Sequence, residues 1–176
     1  MIKRAKQIIP TFEEMYNLLP NEIKDCLDRC ANTPQSSKWH PESPSDKVPH
    51  NVLNHTKIVY ERAKNMKDFD LAIAAIFHDL GKVNTTRKNN NGNWTAHGHE
   101  LESLKLVEKY KEWIEFIGRN FEKIKVIVKE HMRIKFINNM RPIKQKALRQ
   151  NQWFNEINTF SQLDDMRTLT NDELNI

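Results

Sequence analysis

The sequence predicts an all-α protein, and three observations carry that prediction. Glycine is scarce, at 4 in 176 residues. Apolar side chains recur at spacings of three and four, and the alternating Val, Ile and Thr runs that mark strands are missing. A chain of 176 residues suits one domain with its own core. We therefore expect a single unit over 1–176, with helices and a Pro-rich loop over 1–50 and the main core over 51–169. No apolar run approaches the roughly 20 residues of a membrane span. The opening from Met1 to Lys6 lacks a signal-peptide core, so a soluble, cytoplasmic protein is expected. The net charge of +5 favours an anionic partner.

Thr11 and Glu14 form a capping box that opens a short helix ending near Pro20. Asn21 is expected to cap a second helix running through Cys30. Cys26 and Cys30, four apart, stack on one face of it. They read as small buried side chains rather than a disulfide or a zinc knuckle. Residues 33–49 carry four prolines and read as an ordered loop or lid. Within it, Trp39 and His40 either close over a ligand or plug the edge of the core. A helix over 51–67 then sets Val52, His55 and Val59 on one face, so His55 points inward.

The run from Leu71 to Phe77 is apolar, rich in good helix formers and uninterrupted. His78, Asp79, Leu80, Gly81 and Lys82 follow. Gly81 is expected to close the helix in the left-handed conformation. His78 and Asp79 then sit on the last turn of a buried helix, where ionisable groups are costly unless paired or metal-bound. A polar loop over 83–96 follows, with a glycine-centred turn and the cations Arg87 and Lys88; it is expected to border the site. Gly98 is expected to let backbone approach closely. His99 falls in the first turn of a helix reaching Ile114.

Phe121, Ile124, Val128 and His131 share one face of a further helix. The segment from Arg141 to Arg149 reads as a basic connector with a solvated face. The last helix, over 153–169, clusters Trp153, Ile157, Phe160 and Leu163 on one side. Asp164 lies on that side and Asp165 turns toward solvent.

The inward set is His55, His78, Asp79, His99, His131 and Asp164. Four of the 7 histidines converging with two carboxylates is hard to explain as packing. Imidazole and carboxylate without thiolate suit zinc, manganese, iron, cobalt or nickel. Six groups exceed the needs of one tetrahedral ion, and an aspartate can bridge two ions held about 3.5–4 Å apart.

This ordered pattern resembles the HD-domain metal-dependent phosphohydrolase superfamily over roughly residues 51–165. His78 to Lys82, followed by the Gly-Asn turn and Gly98 to Glu100, is most similar to the HD domain of bacterial tRNA nucleotidyltransferases. The stretch Trp39 to Glu42 leading into Asn54, His55 and Thr56 resembles stand-alone HD proteins. The nucleotidyltransferase catalytic domain has no counterpart in the sequence, so only the hydrolytic module is implied.

The resemblance implies an HD-type helical bundle with a binuclear metal site in its core. His55, His78, Asp79 and Asp164 would hold one divalent ion, and His99 and His131 a second, with Asp79 bridging. The ions implied are Mn, Fe, Co, Ni, Zn or Mg. Asp79 and Lys82 would be catalytic, and Lys82, Arg87 and Lys88 would contact substrate phosphate. The implied reaction is phosphatase or phosphodiesterase chemistry by metal-activated water. Its substrate would be a small anionic phosphoester, a nucleotide or an RNA end, with neither a membrane nor an obligatory protein partner. His97 competes with His99, and Asp165 with Asp164, for the ligand roles. Two other functions use the same residues: mixed-valent di-iron oxygenase chemistry, and a non-catalytic nucleotide-binding module.

Overall fold

Short caps and one helix that is apolar from Leu71 to Phe77 generate the architecture. The computed structural model describes residues 8–35, 51–166 and 173. Trp39, His40 and most of the Pro-rich loop lie outside these residues, as does 167–169. The capping box forms at α1 (Phe12–Leu18), with Thr11 N donating to Glu14 Oε2 at 2.7 Å and Glu14 N to Thr11 Oγ1 at 3.2 Å. Helix α2 (Asn21–Cys30) takes Asn21 as its first residue and not as its cap. The carbonyl of Pro20 already accepts from Ile23 N and Lys24 N at 2.9 and 3.1 Å, so proline fills the cap position. Asn51 caps α3 (Val52–Asn65) by accepting from Asn54 N at 2.8 Å, and Asp68 caps α4 (Phe69–His78) through Leu71 N at 3.0 Å.

From Leu71 to His78 no side chain of α4 is more than 2 % exposed. A helix that is apolar all round needs neighbours on every side. Here α3, α6 (His99–Lys109) and α8 (Phe121–Ile134) surround it, and α10 (Phe154–Leu163) closes against α8 and α3.

The expected polar loop after the central motif is more ordered than its composition suggests. It folds as α5 (Lys82–Thr85) and an antiparallel hairpin, β1 (Arg87–Lys88) and β2 (Trp94–Thr95), with Arg87 opposite Thr95. Three further boundaries differ from expectation, each for a physical reason. The helix expected to reach Ile114 breaks at Tyr110 (φ −101°, ψ 24°), whose hydroxyl donates to Glu22 Oε2 at 2.6 Å; α7 (Lys111–Phe116) follows. The basic connector is helical: after the short η1 turn (Ile137–Asn139), α9 (Pro142–Arg149) starts with proline at its first position. Its Leu148 is buried against the core. Helix α10 stops at Leu163, because the Arg62 guanidinium takes the carbonyls of Leu163 and Asp165, both at 2.8 Å. Asp164 is thereby the C-cap and not an interior residue.

Candidate metal centre

Three of the histidines are oriented by their own backbone. His78 Nδ1 lies 2.7 Å from Ala75 O, His99 Nδ1 2.7 Å from Ala96 O, and His131 Nδ1 2.6 Å from Val128 O. A carbonyl only accepts, so each ring carries a proton on Nδ1, and in the neutral ring Nε2 is left with a lone pair. The fold then sets ring nitrogens face to face. His55 Nε2 and His78 Nε2 are 3.1 Å apart, and His99 Nε2 and His131 Nε2 are 3.2 Å apart. Lone pairs at that separation repel unless a proton or a cation lies between them. Zinc–nitrogen bonds of about 2.0–2.1 Å separate two nitrogens by about 2.9 Å at a right angle and about 3.3–3.4 Å at the tetrahedral angle. The observed spacings fall inside that interval, so the donor set fits divalent ions.

The carboxylates complete two clusters. Asp79 Oδ2 lies 3.4 Å from His55 Nε2 and 3.3 Å from His78 Nε2, while its Oδ1 lies 3.1 Å from His99 Nε2 and 3.9 Å from His131 Nε2. Asp164 Oδ1 lies 2.8 Å from His55 Nε2 and 3.4 Å from His78 Nε2. One aspartate thus offers one oxygen to each pair of rings. All six side chains are buried, whereas His97 is exposed and Asp165 half-buried.

Charge balance explains how two carboxylates survive there. Burial alone would raise Asp79, but the charges of His78 and Lys82, with hydrogen bonds from His78 and His99, hold it well below the usual carboxylate range. Burial likewise opposes Asp164, and the Lys135 ammonium together with bonds to His55 and His78 outweighs it. Burial would lower His78, yet Asp79 and Asp164 raise it to about 9. His131 moves the other way, because burial and the neighbouring rings of His99 and His78 keep it neutral. Without metal, a proton on His78 therefore does part of a cation's work.

Two contributors were missed by sequence reasoning. Lys135 Nζ lies 2.5 Å from Asp164 Oδ2, and Gln35 Oε1 accepts from Lys82 Nζ at 2.7 Å. Lys135 had a signal, since it stands four residues after His131 and shares its face; Gln35, at the edge of the Pro-rich loop, had none. Lys82 is buried, with Nζ 2.7 Å from Asp79 Oδ2. Arg87 and Lys88 are exposed on the hairpin. The Arg87 guanidinium donates to Thr86 O and Asn84 O at 2.7 and 2.8 Å, and Lys88 lies 4.9 Å above the Trp94 ring.

The glycines exchange their expected roles. Gly98 is the left-handed one (φ 79°), with open space around it. Gly81 is right-handed (φ −62°, ψ −19°) and marks a close approach. A Cβ there would lie 2.1 Å from His99 O and 2.8 Å from Ser103 N. Gly81 N donates to Ser103 Oγ at 2.9 Å, and Ser103 Oγ donates to His78 O at 2.8 Å. The close approach at Gly81 sets α6, and with it His99, against the end of α4.

Comparison with known proteins agrees with this geometry. The family model described as HD domain matches residues 50–162, a stretch holding five of the six converging side chains. The multifunctional CCA protein of Herminiimonas arsenicoxydans is 36% identical over 83 residues, which is 47% of this chain and 18% of that protein. The chain thus spans under a fifth of that relative's length. No solved structure matches the chain significantly. Among the described residues no helix is long and apolar enough to cross a membrane. Two facing histidine pairs around one shared aspartate, inside a matched stretch of that length, lead to one conclusion: the chain belongs to the HD-domain family.

Proposed function

We propose that the protein is a metal-dependent phosphohydrolase, acting as a phosphatase or phosphodiesterase on a nucleotide or an RNA-end phosphoester. The observation that supports it most is Asp79, whose two oxygens face different histidine pairs. His55, His78, Asp79 and Asp164 would hold one divalent ion, and Asp79, His99 and His131 a second. When bound, such ions polarise a phosphoryl oxygen and lower the pKa of water toward about 7.

The chain's own residues would do the rest by position and charge. Lys135 occupies Asp164 Oδ2 and so leaves Oδ1 for the first ring pair. Lys82, anchored by Gln35, would present its ammonium to the substrate phosphate beside the shared carboxylate. Arg87 and Lys88, on the exposed hairpin, would draw the anion in. The resemblance to the HD domain of tRNA nucleotidyltransferases favours nucleotides and RNA ends among phosphoesters.

The test is metal analysis of the purified protein, followed by a phosphoester panel with Mn, Co, Ni, Mg and Zn. The panel holds 2′,3′-cyclic nucleotides, 2′-, 3′- and 5′-monophosphates, dNTPs and an aryl phosphate. Metal-dependent release of phosphate or opening of a cyclic ester is expected. Metal-loaded protein that hydrolyses none of these, yet consumes oxygen with reduced iron, would overturn the reading in favour of oxygenase chemistry.

A further inference from the structure

The charge of this protein is not spread evenly. Of its 28 Lys and Arg and 23 Asp and Glu, residues 131–155 hold six cations and no carboxylate. The remainder therefore carries 22 cations against 23 anions, so this one segment accounts for the whole positive excess of the chain. Two of the six are committed: Arg133 pairs with Glu130 at 2.6 Å and Lys135 with Asp164 at 2.5 Å. The other four, Arg141, Lys144, Lys146 and Arg149, are exposed, and none forms an ion pair among the described residues.

Topology gives the segment a direction. Helices α8 and α10 pack together, and both end at the metal centre, α8 through His131 and Lys135 and α10 through Asp164. They therefore run parallel, and the link between them must return along the outside of the bundle. Helix α9, about 12 Å long for its eight residues, lies in that return, so its cations lead away from the site. Apolar side chains punctuate them: Phe136 is 44% and Ile143 77% exposed. Cations along a path with aromatic surface beside them suit a single strand, whose phosphates take the charges and whose bases stack.

We propose that the segment from Phe136 to Arg149 binds the phosphodiester backbone of a single-stranded polynucleotide whose end lies at the metal centre. Only the identity of that end group rests on the phosphohydrolase reading; binding along α9 does not. The experiment uses the full chain without added metal, so a failure of hydrolysis leaves the result intact. Fluorescence anisotropy follows labelled RNA and DNA 12-mers between about 50 and 200 mM salt, where four phosphate contacts at about 0.7 each give a log–log slope near −3 and about a 50-fold loss of affinity. The variant R141Q/K144Q/K146Q/R149Q should reduce the slope by about 3; its melting temperature is read alongside, because Arg149 also donates to Asn138 Oδ1 at 3.4 Å and lies 5.8 Å over the Phe154 ring. The pair K144Q/K146Q, milder for folding, should lose half as much. Tighter binding of RNA would identify the 2′-hydroxyl as part of the ligand and equal binding the backbone common to both; either result upholds the proposal. Unchanged slope and affinity in both variants would overturn it. Equal competition by poly-glutamate would also overturn it and assign the surface to an acidic protein.

Discussion

Gly81→Ala is the substitution whose cost follows most directly from the coordinates. The added methyl would sit 2.1 Å from the His99 carbonyl oxygen and 2.8 Å from Ser103 N, both backbone atoms that no rotamer change can move away. Ordinary contact needs about 3.5 Å, so α6 must retreat from the end of α4 by about 1.4 Å. Overpacking of this kind costs roughly 1–3 kcal/mol. In a chain of this size each kcal/mol lowers Tm by about 2–4 °C, so a fall of roughly 2–12 °C is expected. The retreat also carries His99 away from Asp79 Oδ1, now 3.1 Å from its Nε2. Metal bonds tolerate only about 0.2 Å of error, so an ion at the Asp79–His99–His131 cluster should be lost while one at the His55–His78–Asp79 cluster should remain. Calorimetry and elemental analysis read the two effects separately. Ser103→Ala is the control: it removes the hydrogen bonds to Gly81 and His78 without a clash, and both ions should stay. An unchanged Tm with two ions bound in Gly81→Ala would refute the reasoning.

The remaining predictions concern the ligand groups. Asp164→Ala should abolish binding at the first cluster, whereas Asp165→Ala should leave it intact; equal losses by titration calorimetry would contradict the assignment. His78→Ala and Asp79→Ala should eliminate hydrolysis. Lys82→Ala should keep the metals but slow the reaction by roughly 30- to 1000-fold, equivalent to about 2–4 kcal/mol; loss of metal in that variant would recast Lys82 as a structural partner. His78, raised to about 9 without metal, must surrender a proton to any ion that replaces it. Apparent metal affinity should therefore rise about tenfold per pH unit from 7 toward 9, and a flat profile would refute the linkage. The same shift stabilises the metal-free protein fully below the ordinary 6.5 and is lost as pH rises through about 9, so its Tm should drop over that window.

The convergence of the six side chains was legible because periodicity is a geometric quantity. His55 and His131 each continue an apolar stripe, and the uninterrupted run before His78 could only be a buried helix. What escaped was decided by distant partners or by shape. The end of α10 depends on Arg62, 101 residues from Leu163. The exchange of roles between Gly81 and Gly98 depends on which one α6 touches, and composition cannot report that. Helix α9 was hidden by its charge, although proline at its first position and Leu148 six residues later were there to be read. Lys135 was overlooked because a cation beside a cation site looks misplaced until its carboxylate partner is known.

The bonds from ring Nδ1 to the carbonyl three residues earlier have a consequence for how this centre withstands sequence drift. In many metal sites a second side chain holds the ligand ring, and losing it costs 10- to 100-fold in affinity. Here the holders are the main-chain oxygens of Ala75, Ala96 and Val128. Every amino acid supplies that oxygen, so substitutions at these three positions that preserve the local backbone leave the ring orientation untouched. The histidines inherit their aim from the backbone itself. For these three rings, substitution of the residue that holds Nδ1 does not by itself release the aim, because the holder is main chain.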